Sequence, residues 1–299
     1  MKTSFSQTGH TVGAALSWAR GELARAAVES PQLTAELLLG NTLGWDRARL
    51  LTHPEAPLPE DKGSRFAALV ERRCAGEPLE YITGEQEFFG LSFLVSPAVL
   101  IPRPETEILV EKALTLAHDS GAKSLRFVDV GTGSGCIAVS VARECRQSQV
   151  WAVDISPAAL AVARRNAARH GVADRVHFVC ADMLESFRPG QVSDFILSNP
   201  PYVACADIPD LPREVRDHEP RLALFGGKSG LAVCARLAAQ AWRHLAPGGF
   251  LLMEIGEGQS EAVSRILREA GFAVEPAVPD LRGIPRCMIG MIGVGPRQA

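Results

Sequence analysis

One pattern narrows the possible folds of this chain more than any other. From about residue 122 onward, short strand-like runs alternate with segments of helical period. The runs are "SLRFVDV", "QVWAVDI", "VHFVCAD", "SDFILSN", "GGFLLMEIG", "AVEPAVP" and "RCMIGMIG". Parallel strands need long crossover connections, which helices supply. The alternation therefore predicts an α/β fold with an open, mostly parallel, seven-stranded sheet and helices on both faces. Ligands of such sheets bind beyond the carboxyl ends of the strands, where strand order reverses. Ser156-Pro157 reads as the cap and first turn of one crossover helix, and Gly171 as its stop.

The earlier part of the chain has a different rhythm. Residues from about 10 to 80 read as a small helical bundle, with no strand alternation. "TVGAALSWARGELARAAV" sets Val12, Leu16, Ala19 and Leu23 on one helical face. "SPQLTAELLLGNTLG" offers Ser30 as N-cap and Pro31 as first helical residue, and its Leu37, Leu38 and Leu39 are expected to be buried. "DKGSRFAALVERRCAG" repeats the pattern with Phe66, Leu69 and Arg73. "EFFGLSFLVS" then reads as a hairpin of two short strands around Gly90. In "LIPRPETE" the prolines at 102 and 104 argue against helix, and Glu105 begins a helical pattern. Three segments are expected: a helical domain over 1–84, a hairpin connector over 85–104 and the α/β domain over 105–299.

Composition removes several classes of function. The 299 residues are 46% apolar and 22% charged, as in ordinary globular proteins. No apolar run reaches the roughly 18–20 residues of a membrane helix. The opening "MKTSFSQTGHTVG" lacks the apolar core of a secretory signal, so a cytoplasmic location is expected. The seven cysteines are scattered and none forms a C-x-x-C pair, so neither a metal site nor a disulfide frame is expected. Most should be small buried hydrophobes. A net charge of −3 argues against a broad nucleic-acid footprint.

The first candidate site is "FVDVGTGSGCIAVSVA". A strand ends at Val130, and a turn follows over Gly131, Thr132, Gly133, Ser134 and Gly135. A helix then begins near Cys136. Glycines let a ligand approach the main chain closely. The G-x-G-x-G spacing suits a nucleoside ligand without a pyrophosphate better than the dinucleotide fingerprint does. Three acids stand at successive strand ends: Asp129 before the loop, Asp154 about 20 residues on and Asp182 after the third strand. Asp154 is placed to accept from ribose hydroxyls, and Asp182 from an exocyclic adenine amine. A fourth strand ends on "LSNPPYV", with Asn199, Pro200, Pro201 and Tyr202. Taken alone, this is a strand terminator as readily as a polar fork held still for chemistry.

The glycine loop, Asp154, Asp182 and the N-P-P-Y sequence, in this order, resemble a class I S-adenosyl-L-methionine-dependent methyltransferase, a Rossmann-like fold. The resemblance covers about residues 122–294. It implies that Gly131 to Gly135 lie against the methionine end of the cofactor and that Met183 lies beside the adenine. Asp129 and Asn199 join the same set. N-P-P-Y resembles the motif of enzymes that methylate planar NH2 groups. The Asn199 side-chain oxygen and the Pro200 carbonyl would accept the two N–H bonds and orient the nitrogen. The prolines would fix the main chain without adding a donor. Tyr202 would pack its ring on the flat substrate group.

The helical N-terminus, "EYITGEQEFFGLSFLVSPAVLIPRPETE" and "HEPRLALFGG" are similar to the HemK/PrmC family over nearly the whole chain. That resemblance implies methylation of the side-chain amide nitrogen (N5) of the glutamine in the Gly-Gly-Gln motif of class I peptide chain release factors. It also makes the helical domain a docking element. A sister family that methylates a glutamine of a large-subunit ribosomal protein typically has Pro-Arg-Ser where this chain has Pro102-Arg103-Pro104. A nucleobase amino-group methyltransferase is the other alternative. Phe88, Phe89 and Arg103 are candidates for lining the glutamine pocket, though core packing suits at least one of the two rings better. Arg103 and Glu105 read equally well as an ion pair with each other. Glu219-Pro220 and Gly226-Gly227 are expected to shape a loop near the pocket. No direct nucleic-acid contact and no membrane are expected, and the protein is expected to be a monomer.

Overall fold

The computed structural model describes residues 11–188, 190 and 193–293. The first ten residues, which carry most of the stretch read above for a signal, and the last six lie outside the described residues. Contacts along the chain divide it into two compact units, Met1–Gly84 with Pro212–His218, and Glu85–Leu211 with Glu219–Ala299.

The first unit is helical: α1 (Val12–Arg25), α2 (Pro31–Leu43), α3 (Arg47–Thr52), α4 (Glu60–Cys74) and α5 (Leu79–Thr83). Val12, Leu16, Ala19 and Leu23 are buried along one stripe of α1, against Leu38, Leu39 and Phe66. Thr11 caps α1 by accepting from the Ala14 N–H at 3.3 Å. Ser30 is the N-cap of α2 and Pro31 its first residue, as expected, although Ser30 has φ +47° and makes no side-chain cap bond. One expectation fails here. Leu37 is exposed while Leu38 and Leu39 are buried. Residues about 100° apart around a helix cannot all three face one side.

The second unit opens with the hairpin β1 (Glu85–Phe88) and β2 (Leu91–Leu94), paired antiparallel around Gly90. Helix α6 runs over Pro104–Asp119, so Pro104 is helical after all. At the first position its missing N–H would have had no partner. Then follow β3 (Arg126–Val130), α7 (Cys136–Glu144), β4 (Gln149–Asp154), α8 (Pro157–Arg169), β5 (Val176–Cys180) and β6 (Ser193–Ser198). Ser156 caps α8, accepting from the Ala159 N–H at 3.2 Å, and Gly171 follows its end with φ +67°. The short α9 (Arg213–His218) belongs to the first unit. The second resumes with α10 (Arg221–Leu224), α11 (Ala232–His244), β7 (Leu245–Glu254), α12 (Ser260–Glu269), β8 (Ala273–Val274), β9 (Val278–Pro279) and β10 (Pro285–Met291).

The sheet order is β5-β4-β3-β6-β7-β10-β8, with the two-residue β9 also paired to β10. Strands β3 to β7 are parallel, and β10 is antiparallel to its neighbours. The "AVEPAVP" run thus divides into β8 and β9 around Pro276. Phe127, Phe195 and Phe250 stack across one face, with centroids 4.8 and 5.5 Å apart. Val128, Ile196 and Leu251 are buried on the other. Burial of both faces explains why these strands read as near-continuous apolar runs. Strand order reverses between β3 and β6, so the carboxyl ends of those two strands form the ligand-binding crevice. Cys136, Cys234 and Cys287 are buried, whereas Cys74 and Cys145 are half-buried and Cys180 and Cys205 exposed; fewer are core residues than expected. Among the described residues no helix is long and apolar enough to cross a membrane.

Candidate active site

The crevice is built first from the loop after β3. Gly131, Gly133 and Gly135 have φ of +74°, +54° and +82°, conformations open to glycine. The Gly131 and Thr132 N–H groups both donate to the Val153 carbonyl at 2.9 Å, tying the turn to β4. A Cβ on Gly135 would meet the Ala163 Cβ at 3.1 Å, whereas one on Gly131 would meet nothing within 4 Å. The loop is therefore packed at its helix end and open at its strand end.

Asp129 lies beneath this loop, fully buried. Its Oδ2 accepts from the Thr132 hydroxyl at 2.6 Å and the Ala138 N–H at 3.1 Å. Its Oδ1 has no partner among the described residues. Burial pushes this carboxyl up to about 7, against the pull of those two donors. Asp154 is held by backbone alone: Oδ2 accepts from the Gly133 N–H and Oδ1 from the Ser156 N–H, each at 2.9 Å. Each oxygen keeps acceptor capacity for a ligand hydroxyl. Asp182 pairs with Arg236 at 2.7 Å, both partly exposed. Met183 sits beside it with φ +53°.

The second half of the crevice comes from the end of β6. The Ser198 hydroxyl donates to the Val130 carbonyl at 2.7 Å, joining the two strand ends across the switch point. The Asn199 Nδ2 donates to the Thr106 Oγ1 at 3.0 Å. Thr106 in turn donates to the Glu254 Oε2 at 2.5 Å, and the Tyr202 hydroxyl donates to Oε1 at 3.2 Å. Glu254 is buried at the end of β7, and burial pushes it up to about 7, opposed by those two bonds. Burial, then the charge of Glu254, raises the Tyr202 phenol above its ordinary value, so it stays protonated. Neither the Asn199 Oδ1 nor the Pro200 carbonyl has a hydrogen-bond partner among the described residues.

The main chain of this segment is clamped. Gln259 Nε2 donates to the Tyr202 carbonyl at 2.9 Å, Val203 N–H to the Leu224 carbonyl at 3.0 Å, and Gly226 N–H to the Val203 carbonyl at 2.9 Å. A Cβ at Gly226 would stand 2.6 Å from the Pro201 carbonyl oxygen and 2.8 Å from the Tyr202 Cα. Gly226 is therefore a contact residue of the N-P-P-Y backbone.

These elements enclose one cavity of about 310 Å³. Gly131, Thr132, Gly133, Ser134, Asp154, Asp182, Met183, Asn199, Pro200, Pro201 and Arg103 all line it. Five other candidates do not; one of them, Phe89, packs against the same core cluster as Phe88. Asp129 and Gly135 support the loop from behind. Phe88 is a core residue, packed edge-on against Phe93 with centroids 6.0 Å apart. Tyr202 turns inward to Glu254. Arg103 forms its ion pair with the buried Glu219, not with Glu105. Glu219 also accepts from the Ile101 N–H at 3.3 Å, bracing the segment before α6. Thr106 and Arg236 also line the cavity, and Glu254 lies one bond behind it; none was singled out from sequence. Only Glu254 left a trace there, as a lone acid in the apolar run "FLLMEIG".

A glycine turn open to a cavity, acids at the ends of β4 and β5, and a polar fork at the switch point define an enzyme of the class I methyltransferase fold. Solved structures agree on the fold: a methyltransferase from Pyrococcus furiosus aligns with a TM-score of 0.52 at 19% identity, over 77% of this chain and 98% of that one. The catalytic domain of hMettl16 aligns at 0.55 and 18% identity, over 77% and 84%. The PrmC N-terminal domain model matches residues 14–84, and the methyltransferase small domain model residues 105–211. The release factor glutamine methyltransferase of Koribacter versatilis is 49% identical over 94% of this chain and 98% of its own length. That of Geobacter sulfurreducens is 43% identical over 95% and 97%. The chain belongs to the release factor glutamine methyltransferase family.

Proposed function

We propose that the protein transfers a methyl group from S-adenosyl-L-methionine to the side-chain amide nitrogen of the Gly-Gly-Gln glutamine of class I peptide chain release factors. The observation that carries this reading is the shared cavity: the glycine turn, Asp154 and Asp182 line one part of it, and Asn199 with Pro200 another. The residues fit the cofactor's chemistry. Gly131 leaves open space for a ligand, and Asp154 holds two acceptor oxygens in place. Gly131 to Ser134 would hold the amino-acid end, Asp154 the ribose, and Asp182 with Met183 the adenine. When bound, the cofactor supplies an electrophilic methyl on a sulfonium leaving group.

The protein's own task is then positioning and charge stabilisation. An amide nitrogen is a weak nucleophile because its lone pair is delocalised. Asn199 Oδ1 and the Pro200 carbonyl would each accept one N–H of the substrate amide. Two such bonds hold the nitrogen with its lone pair toward the methyl donor and favour the positive charge that develops there. Pro200 and Pro201 offer no competing N–H. Arg103, fixed by Glu219, would shape the substrate side of the cavity. The helical domain, residues 1–84, is proposed to dock the release factor. The enzyme would act in the cytoplasm as a monomer, without contacting nucleic acid.

Incubation with labelled cofactor and, separately, a release factor, a large-subunit ribosomal protein and DNA tests this reading, with mass spectrometry locating the methyl group. Label on the Gly-Gly-Gln glutamine is expected. Label on the ribosomal protein or on DNA alone would overturn it.

A further inference from the structure

An asparagine amide can sit in two orientations that differ by a half-turn, and only one presents oxygen to the substrate. Thr106 does not decide this alone, because a hydroxyl both donates and accepts. If Thr106 donated to Asn199, the amide would turn its NH2 toward the cavity and oppose the substrate's own N–H groups. The decision therefore lies one bond further back. The single Thr106 proton is directed to Glu254 Oε2 at 2.5 Å, and the other Glu254 oxygen is occupied by the Tyr202 hydroxyl at 3.2 Å. An ionised carboxylate only accepts, so Thr106 must donate to it. Thr106 is then left with lone pairs alone for Asn199, which must approach through Nδ2, as it does at 3.0 Å.

Resting on the proposed function, we infer that Glu254 is a positioning residue: through Thr106 it sets the polarity of the Asn199 amide, so that Oδ1 faces the substrate nitrogen. Protonation of Glu254 removes the constraint. The acid then offers a proton of its own to Thr106, the Thr106 proton is released toward Asn199, and the amide is free to turn over.

The surroundings of Glu254 make it the member of this cluster that titrates. Glu105 of α6 pushes its pKa up and Arg286 of β10 pulls it down, while burial dominates and sets it at about 7. Cys287 of β10 and Cys136 of α7 both feel its charge, and burial pushes each thiol up to about 12, leaving them neutral. Tyr202 is likewise neutral. Activity should therefore rise through pH 7 as Glu254 ionises, and stay level above it. Asp129 also ionises near 7, but it has no link to Asn199 through Thr106.

The test is the pH profile of kcat for wild type, Thr106→Val and Thr106→Ser, with release factor as substrate, cofactor affinity by calorimetry and Tm for each. Thr106→Val keeps the shape and removes the relay. It is expected to lower kcat about 10- to 100-fold above pH 7, leave cofactor affinity within about twofold, and abolish the acidic limb near pH 7. Thr106→Ser is expected to recover most of the rate and to restore the limb. A limb unchanged in Thr106→Val, as Asp129 would give, overturns the inference, as does Thr106→Ser no better than Thr106→Val at equal Tm. Absence of methyl transfer by the wild type would instead overturn the proposed function, and this inference with it.

Discussion

Gly226→Ala is the sharpest single perturbation of the N-P-P-Y segment that leaves its side chains in place. The added Cβ would lie 2.6 Å from the carbonyl oxygens of Pro201 and Gly230 and 2.8 Å from the Tyr202 Cα. All three neighbours are backbone, so no side chain can swing away. Ordinary carbon contacts begin at about 3.5 Å, so the segment must shift by most of an ångström. Overpacking of this kind destabilises by about 1–3 kcal/mol. A displacement near 1 Å at the reacting groups costs about 10²-fold in rate. The glycine turn and Asp154 are untouched, so cofactor affinity should hold. The assay is kcat on release factor, cofactor Kd by calorimetry and Tm. Gly21→Ala is the control: its Cβ would meet only the Arg25 guanidinium, at 3.8 Å, inside α1. It should stabilise by up to about 1 kcal/mol and leave kcat unchanged. Wild-type kcat and Tm in Gly226→Ala would refute the clamp.

Three further outcomes follow from the same geometry. Asn166→Ala should destabilise by about 3–5 kcal/mol in urea titration, because this fully buried amide exchanges two bonds with Leu94 and donates a third to the Ser134 carbonyl. Asp154→Ala should weaken cofactor binding at least about tenfold in calorimetry and destabilise by about 1–3 kcal/mol, since two backbone donors lose a partner. The cofactor-free protein should lose stability as pH rises from about 4 to 7. Asp129 and Glu254 have folded pKa values raised from 3.8 and 4.5 to about 7, so the native state binds two extra protons in that window and forfeits the advantage as they leave. Asp129→Asn should remove part of the fall in Tm over that range and leave the part that belongs to Glu254.

The parts of the site that were readable in the sequence are those made by local backbone chemistry. A glycine turn between strand and helix, an acid ending the next strand and prolines after an asparagine declare themselves within a few residues. Their assembly followed from the α/β alternation, which places the carboxyl ends of the parallel strands β3 to β7 on one side. What was not readable depends on distant pairings. Thr106 stands 93 positions from Asn199 and 148 from Glu254, and nothing in "PETEILV" marks a threonine as a relay. Arg103 offered a neighbouring acid as partner, yet burial of Glu219 116 positions away won the pair. Phe88 and Tyr202 show a related limit. Aromatic type predicts burial, but not whether the ring meets a cavity or the core.

The central claim is that Asn199 supplies an acceptor used at the moment of transfer. It is tested most directly by the single-turnover rate of Asn199→Ala on a release factor at saturating cofactor, with cofactor Kd measured alongside. Loss of one such preorganised partner should lower the rate about 10²- to 10³-fold, with Kd within about threefold of wild type. A wild-type rate in Asn199→Ala would contradict the account.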